Sequence, residues 1–353
     1  MKPYNVHILY EYGTDLRPYG SSFIRLLRPL SHPTINDKLN ITSSLDYEEE
    51  EADAVIVDRL WRPDISFALA LRLIYCIHRA GVKLIYTIDD NLLDAPVHEN
   101  GRPSQEDISV IELFLRHADL VLVSTYPLQD RLSGYNSNIV VVPNALDERL
   151  LAKQPTRSTS LFGPKRLVIG YMGTFTHDED LLMILPALQT LYQHHPEKFE
   201  IQLIGGANRQ QTVRSLEALP IRWIIPKEEV EYPLFMLWFS SRLQWDIAIA
   251  PLRSTPFTRC KSDIKFLDYS SIGAAGIYSR VPAYETTVRH KETGWLVDNE
   301  VEAWIEALET LLADASLRKQ LAEQSIKYLY AERILAHQAT VWLEALEILL
   351  NKS

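Results

Sequence analysis

Cysteine is almost missing from this 353-residue chain, with Cys76 and Cys260 its only thiols. Two thiols in that length supply neither a disulfide framework nor the paired spacing of a zinc site. Long apolar runs are missing too. The most apolar region, ISFALALRLIYCI (65–77), carries Arg72 and is too short to span a bilayer. Positive charge is in deficit, 36 Lys and Arg against 46 Asp and Glu. That balance argues against nucleic-acid binding, although a local basic pocket for a small anion stays open. Short repeats and low-complexity tracts do not occur. The first residues, MKPYNVHILYEYG, lack the apolar core of a secretion signal and read as a first strand. The expectation is a soluble cytoplasmic protein, with peripheral contact at the inner face of a membrane left open. Its candidate for that contact is SFIRLLRPL (22–30), an apolar basic helix, for which a core-facing place is the plainer reading.

What is present is alternation. The length exceeds one ordinary domain and suits two, each large enough to bury a core. In the first half, the β-rich runs NVHILY (5–10), DAVIVD (53–58), KLIYTI (83–88), DLVLVS (119–124) and NIVVVP (138–143) are separated by helical patterns near 20–30, 65–80, 105–117 and 126–134. The polar stretch 147–166, with two prolines, reads as a linker. The alternation restarts with RLVIGYMG (166–173), FEIQLIGG (199–206), IRWII (221–225), WDIAIAPL (245–252) and AGIYS (275–279). Runs apolar on both faces indicate parallel sheets covered by helices. The fold class is therefore α/β, two doubly wound Rossmann-like domains over 1–150 and 151–330, followed by a helical tail over 331–353. Ligands of such sheets bind beyond the carboxyl ends of the strands, so the candidate residues are those just after each run.

After KLIYTI stand Asp89 and Asp90, suited to a hydroxyl or a cation, or to capping the next turn. After RLVIGYMG come Gly173, Thr174, a T-x-x-E capping box from Thr176 to Glu179, and His177. Asp178-Glu179-Asp180 also spells D-x-D, a pattern that can hold a metal on a nucleotide diphosphate; helix-start acids serve as well. After WDIAIAPL, Arg253, Arg259, Lys261 and Lys265 gather at one strand end. Read as a helix, Lys261, Lys265 and Asp268 fall on one face, and the two lysines repel unless an anion lies between them. A diphosphate would fill that place, with Asp268 accepting from sugar hydroxyls. A solvated, salt-bridged face is the plainer alternative.

Taken in order, VIGYMGTFTHDEDLLMILPAL, WDIAIAPL, KSDIKFLDYSSIGAAGIYS and KETGWLV resemble the retaining glycosyltransferases of the GT-B fold, close to glycosyltransferase family 4. ADLVLVSTYPLQDRL and VVVPNALD resemble it more loosely in the first half. The resemblance implies two facing domains, a nucleotide-sugar donor on the second, and a glycan, lipid-linked or small-molecule acceptor on the first. It also implies a tail helix that crosses back to the first domain. By position, Asp268 matches the last glutamate of the family's E-x7-E motif and would hold the ribose. Lys261 and Lys265 would face the diphosphate beside Gly173 and Thr174, with His177 and Arg253 near. Asp89 or Asp90 would orient the acceptor hydroxyl or act as base, and Lys265 would stabilise the leaving group. Ser22, Arg25 and Arg59, in loops after the first two strand runs, would lie on the acceptor side. No cofactor and no metal are expected.

Three positions depart from the family pattern. Cys260 stands where the first glutamate of E-x7-E would be, Asp89-Asp90 replaces a frequent histidine, and His177 stands in for a basic residue of the glycine loop. Two alternatives therefore stay in view: a non-catalytic nucleotide-sugar-binding protein, and a GT-B sugar-nucleotide epimerase.

Overall fold

Runs that are apolar on both faces become strands buried on both faces. The computed structural model describes residues 2–48, 51–97, 103–152, 166–173, 177–207, 209–226 and 231–351. The first sheet holds β1 (Tyr4–Leu9), β2 (Leu39–Ser44), β3 (Ala54–Asp58), β4 (Lys83–Ile88), β5 (Leu120–Val123) and β6 (Ile139–Val141), in the order β2-β1-β3-β4-β5-β6. All its pairings are parallel. The second holds β7 (Leu167–Gly173), β8 (Phe199–Gly205), β9 (Ile221–Trp223), β10 (Ile247–Ala250), β11 (Ala275–Ser279) and β12 (Trp295–Val297), ordered β12-β11-β10-β7-β8-β9 and again parallel. In each sheet the chain works outward from the first strand, then returns to its other side. The reversal falls between β1 and β3, and between β7 and β10. Crevices at the carboxyl ends of such reversals are where doubly wound sheets receive ligands.

Helices cover both faces. On the first domain α1 (Gly20–Ser22) and α2 (Arg28–Leu30) flank a π-helical turn over Phe23–Leu27, and α3 (Phe67–Arg79), α4 (Gln105–His117) and α5 (Tyr126–Leu132) follow. The second domain adds α6 (Asp178–His194), α7 (Gln210–Leu216), α8 (Tyr232–Arg242), α9 (Ile264–Ser271), α10 (Pro282–Glu285), α11 (Val301–Ala313) and α12 (Ala315–Glu332). Last comes α13 (Leu335–Leu350), which does not stay there. Its Trp342, Leu346 and Leu350 share one core with Val6, Ile8, Leu26 and Leu30, so the tail crosses back and covers one face of the first sheet. No helix among the described residues is long and apolar enough to cross a membrane.

Four expectations need amendment. Strand β2 was not foreseen, because only Leu39 of its six residues is buried and an edge strand with one wet face shows little apolar signal. β12 is a three-residue strand, too short to announce itself. The expected linker begins inside the fold: Asp147 and Leu150 are buried, and the described part ends at 152. SFIRLLRPL does not present an apolar face to a membrane. Leu26 and Leu30 lie in the core under α13, and Arg25 is buried with them.

Candidate functional site

On the first domain the reversal between β1 and β3 gathers acids around one arginine. Strand β3 ends at Asp58, and Arg59 turns in the left-handed region with φ 46°. That turn aims the guanidinium back across the sheet end. Its Nε lies 3.4 Å from Glu11 Oε2 and 3.7 Å from Asp89 Oδ1, and Nη1 donates to Ser21 Oγ at 3.2 Å. Burial works against the Arg59 charge, but Glu11, Asp89, Asp90 and Asp58 outweigh it and hold the side chain protonated. Burial, then Glu11, pushes Asp58 up to about 7. Ser22 donates to Asp58 Oδ2 at 2.6 Å, deep inside the domain.

Ser22 and Arg25 therefore do not line the cleft. Arg25 is 1 % exposed, and burial lowers it to about 10. Its Nη1 donates to Val142 O at 2.6 Å and Asn144 Oδ1 at 2.8 Å, its Nη2 to Val123 O at 3.2 Å. The guanidinium also sits 4.4 Å from the Trp342 ring centre. This arginine fastens the tail helix rather than touching a substrate.

On the second domain β7 ends at Gly173, and His177 opens α6. Thr174, and the Thr176 of the expected capping box, lie outside the described residues. His177 Nδ1 stands 2.7 Å from Asp180 Oδ2. Burial and the charge of Lys265 lower His177 to about 4, so the ring is neutral at physiological pH. A carboxylate only accepts, so Nδ1 carries the proton and Nε2 is left as an acceptor. The D-x-D acids are committed to protein donors. Asp178 accepts the Arg209 N–H, Asp180 the Arg253 N–H, and Glu179 pairs with the Arg209 and Arg253 side chains. Among the described residues, the group spaced for a metal is instead His32, Asp147 and Glu148, where Asp147 already accepts from Arg149 at 2.7 and 2.8 Å.

The two lysines do not share a helix face. A 3-10 turn spans Thr258–Cys260, Lys261 follows with extended backbone, and α9 begins only at Ile264. Lys261 reaches over the cleft instead, 3.2 Å from Asp90 Oδ1 and 4.6 Å from the Phe257 ring centre. Burial opposes the Asp90 charge, but Lys261 and Arg59 outweigh it and hold that carboxyl below the ordinary range. The same turn ties the domains together. Thr125 donates to Cys260 O at 2.8 Å, Asn144 to Ser262 Oγ at 2.9 Å, and the Cys260 side chain lies in the first domain's core.

Lys265 is buried, 9 % exposed, with no carboxylate at ion-pair distance among the described residues. Its Nζ lies 3.5 Å from Tyr171 Oη and 4.9 Å from that ring's centre. Burial lowers its ammonium to about 8. One turn along α9, Asp268 is buried with Oδ1 unpartnered, and burial raises it to about 7. Tyr171 was not foreseen, though glycines mark it. A Cβ on Gly173 would come within 2.6 Å of its Oη, and one on Gly206 within 2.4 Å of its Cε1. Glu11 and Asp58 were missed because the strand reversal that assembles them is visible only once β2 is known. Between the domains lies a cavity of about 200 Å³, lined by Asp94 and Pro96 on one side and His177, Asp180, Arg253 and Lys261 on the other.

Residues 166–314 match the family described as Glycosyl transferases group 1. No curated protein matches the chain by sequence. Among solved structures, HepE of Anabaena in complex with UDP and glucose is 13 % identical with a TM-score of 0.67, over 98 % of this chain and 100 % of that one. A glycosyltransferase from Rickettsia africae is 12 % identical with a TM-score of 0.65, over 100 % of both chains. Sucrose-phosphate synthase from Thermosynechococcus elongatus is 15 % identical with a TM-score of 0.61, over 86 % of this chain and 75 % of that one. The chain has the two-domain GT-B fold, and over residues 166–314 it carries the sequence pattern of the group 1 glycosyltransferases.

Proposed function

We propose that the protein transfers a sugar from a nucleoside-diphosphate sugar to an acceptor hydroxyl, with retention at the anomeric carbon. One observation carries the reading: Lys265 is a buried cation without an ion-pair partner among the described residues, one helical turn from the unpartnered carboxylate oxygen of Asp268. Buried charges are normally paired, and an unpaired one is costly to keep. A nucleoside diphosphate answers both, phosphate against Lys265 and ribose hydroxyls on Asp268. The complexes of Anabaena HepE with UDP, and with UDP-glucose, support a donor of this class.

The donor's diphosphate competes with Asp90 for Lys261. When it wins, two ammonium groups face the leaving phosphate, and the Asp90 carboxylate is released toward the acceptor side. The bond from the anomeric carbon to the phosphate oxygen breaks as the acceptor oxygen attacks from the same face. The acceptor's proton passes to the departing phosphate. Lys261 and Lys265 stabilise the charge that grows there, in place of a divalent ion. Asp89 and Asp90 orient the acceptor hydroxyl, and Arg59 holds Asp89 in place. Neutral His177, locked by Asp180, offers Nε2 to a hydroxyl of the transferred sugar. Closure of the two lobes on the bound donor would exclude water and so limit its hydrolysis.

A panel of nucleotide-sugars, tested with neutral and lipid-linked acceptors with and without a chelator, checks this. Glycosylated product undiminished by the chelator is expected. Nucleotide binding without product under any acceptor would favour the second reading, a non-catalytic nucleotide-sugar binder. Cys260 supports that alternative, because the position matching a family glutamate is here a thiol buried against the first domain. Absence of nucleotide binding would overturn both.

A further inference from the structure

Where α12 stops and α13 begins, Arg333 turns its guanidinium inward and is buried. Its Nη1 donates to Asp263 Oδ2 at 2.6 Å and its Nη2 to Asp263 Oδ1 at 3.0 Å, a two-pronged ion pair. Nε and Nη2 also donate to the Asn144 carbonyl, at 3.2 and 2.6 Å. Burial opposes the Arg333 charge, but Asp263 outweighs it and holds the side chain protonated. The backbone is fastened at the same point. Leu146 N–H donates to Arg333 O at 2.9 Å, and Leu335 N–H to Leu146 O at 2.8 Å. One guanidinium thus joins the segment after β6, the start of the tail and the entrance to α9.

Asp263 stands at the N-cap of α9, where an aspartate ordinarily accepts an N–H of the first turn. Here its side chain makes no such bond, and both oxygens go to Arg333. Lys265 and Asp268 follow on the same helix, both buried. Burial raises Asp268, Lys265 opposes the rise, and the charge of Asp263 adds to it. The phenols of Tyr232, Tyr269 and Tyr278, kept neutral by burial, complete the titratable groups around that carboxyl.

We propose that Arg333 is a positioning residue for the donor site: it holds Asp263 off the start of α9 and fixes that helix, with Lys265 and Asp268, against the first domain. The role rests on Lys265 and Asp268 receiving the nucleotide. Without the guanidinium, Asp263 is a buried acid stripped of its cation. It then turns to the N–H groups of the first turn of α9, or stays and bears on Asp268 unopposed. The first outcome moves the helix that carries the pair, and the second disfavours the carboxylate that meets the ribose.

UDP affinity, measured by calorimetry across neutral pH on the full chain, tests the proposal. Arg333→Met should weaken UDP about tenfold, as for residues coupled in one ion-pair network. Because Arg333 acts through Asp263, adding Asp263→Asn to Arg333→Met should cost no further affinity. Asp263→Asn alone should move the acid limb of UDP binding to lower pH, since a charge that raises Asp268 is gone. That limb would not move if the ion pair served stability alone. Should Arg333→Met fail to fold, Arg333→Lys keeps a cation at Asp263 without the fork, and its UDP affinity should fall below wild type. Undiminished UDP affinity in the folded Arg333 variants, additive losses in the double variant, or an unmoved acid limb in Asp263→Asn would overturn the positioning role while leaving the donor reading standing. A wild type that does not bind UDP would overturn both.

Discussion

Replacing Lys265 by methionine should move stability and function in opposite directions. Burial takes the ammonium from its ordinary 10.5 to about 8. At about 1.4 kcal/mol per tenfold change, that is a penalty of roughly 3 kcal/mol on the folded protein at neutral pH. The sign follows from proton counts. Between pH 8 and 10.5 the unfolded lysine holds its proton while the folded one has lost it, so the penalty is full below 8, fades across that window, and is gone above it. Methionine keeps the volume beside Tyr171 and removes the charge. Denaturant unfolding at matched pH should find the variant more stable than wild type at pH 7, by as much as about 3 kcal/mol, with the gap closing toward pH 10.5. Sugar transfer should fall about a hundred- to a thousandfold, as for loss of one group that stabilises a developing oxyanion. A variant less stable than wild type at pH 7, or one that keeps wild-type turnover, would refute the argument that this cation waits for an anion.

Further outcomes follow from the same geometry. UDP affinity should peak between pH 7 and 8, above the raised Asp268 and below the lowered Lys265; Asp268→Asn should flatten the acid limb and Lys265→Met the alkaline one, read by titration across pH. Asp90→Asn should free Lys261 and tighten UDP binding several-fold, since a partly exposed pair is worth about 1 kcal/mol, while transfer slows. Arg25→Ala should leave the Val142 carbonyl and Asn144 Oδ1 without their donor in the core and lower stability by about 3 kcal/mol in chemical unfolding, with nucleotide binding retained.

The sequence made the architecture legible where burial is two-sided. The strands within DAVIVD and AGIYS are buried at every position because both faces are covered, and their residues are accordingly apolar at nearly every one. β2 escaped because one face is wet. The site was legible at the level of strand ends but not of side-chain partners. Lys261 and Lys265 looked like neighbours on a helix, yet a 3-10 turn intervenes and sends one to Asp90 and the other to Tyr171. Arg25 was expected on the acceptor side of the cleft, and only the return of α13 shows why a guanidinium stacked on Trp342 belongs in a core. Contacts made by the far end of the chain, and by the opposite domain, leave no local signal.

Calorimetric titration with UDP and with uridine, on wild type and on Lys265→Met, tests the central claim most directly. Wild type should bind UDP far more tightly than uridine, and the substitution should erase most of that difference while leaving uridine affinity in place. An unchanged preference for UDP in the variant would contradict the account.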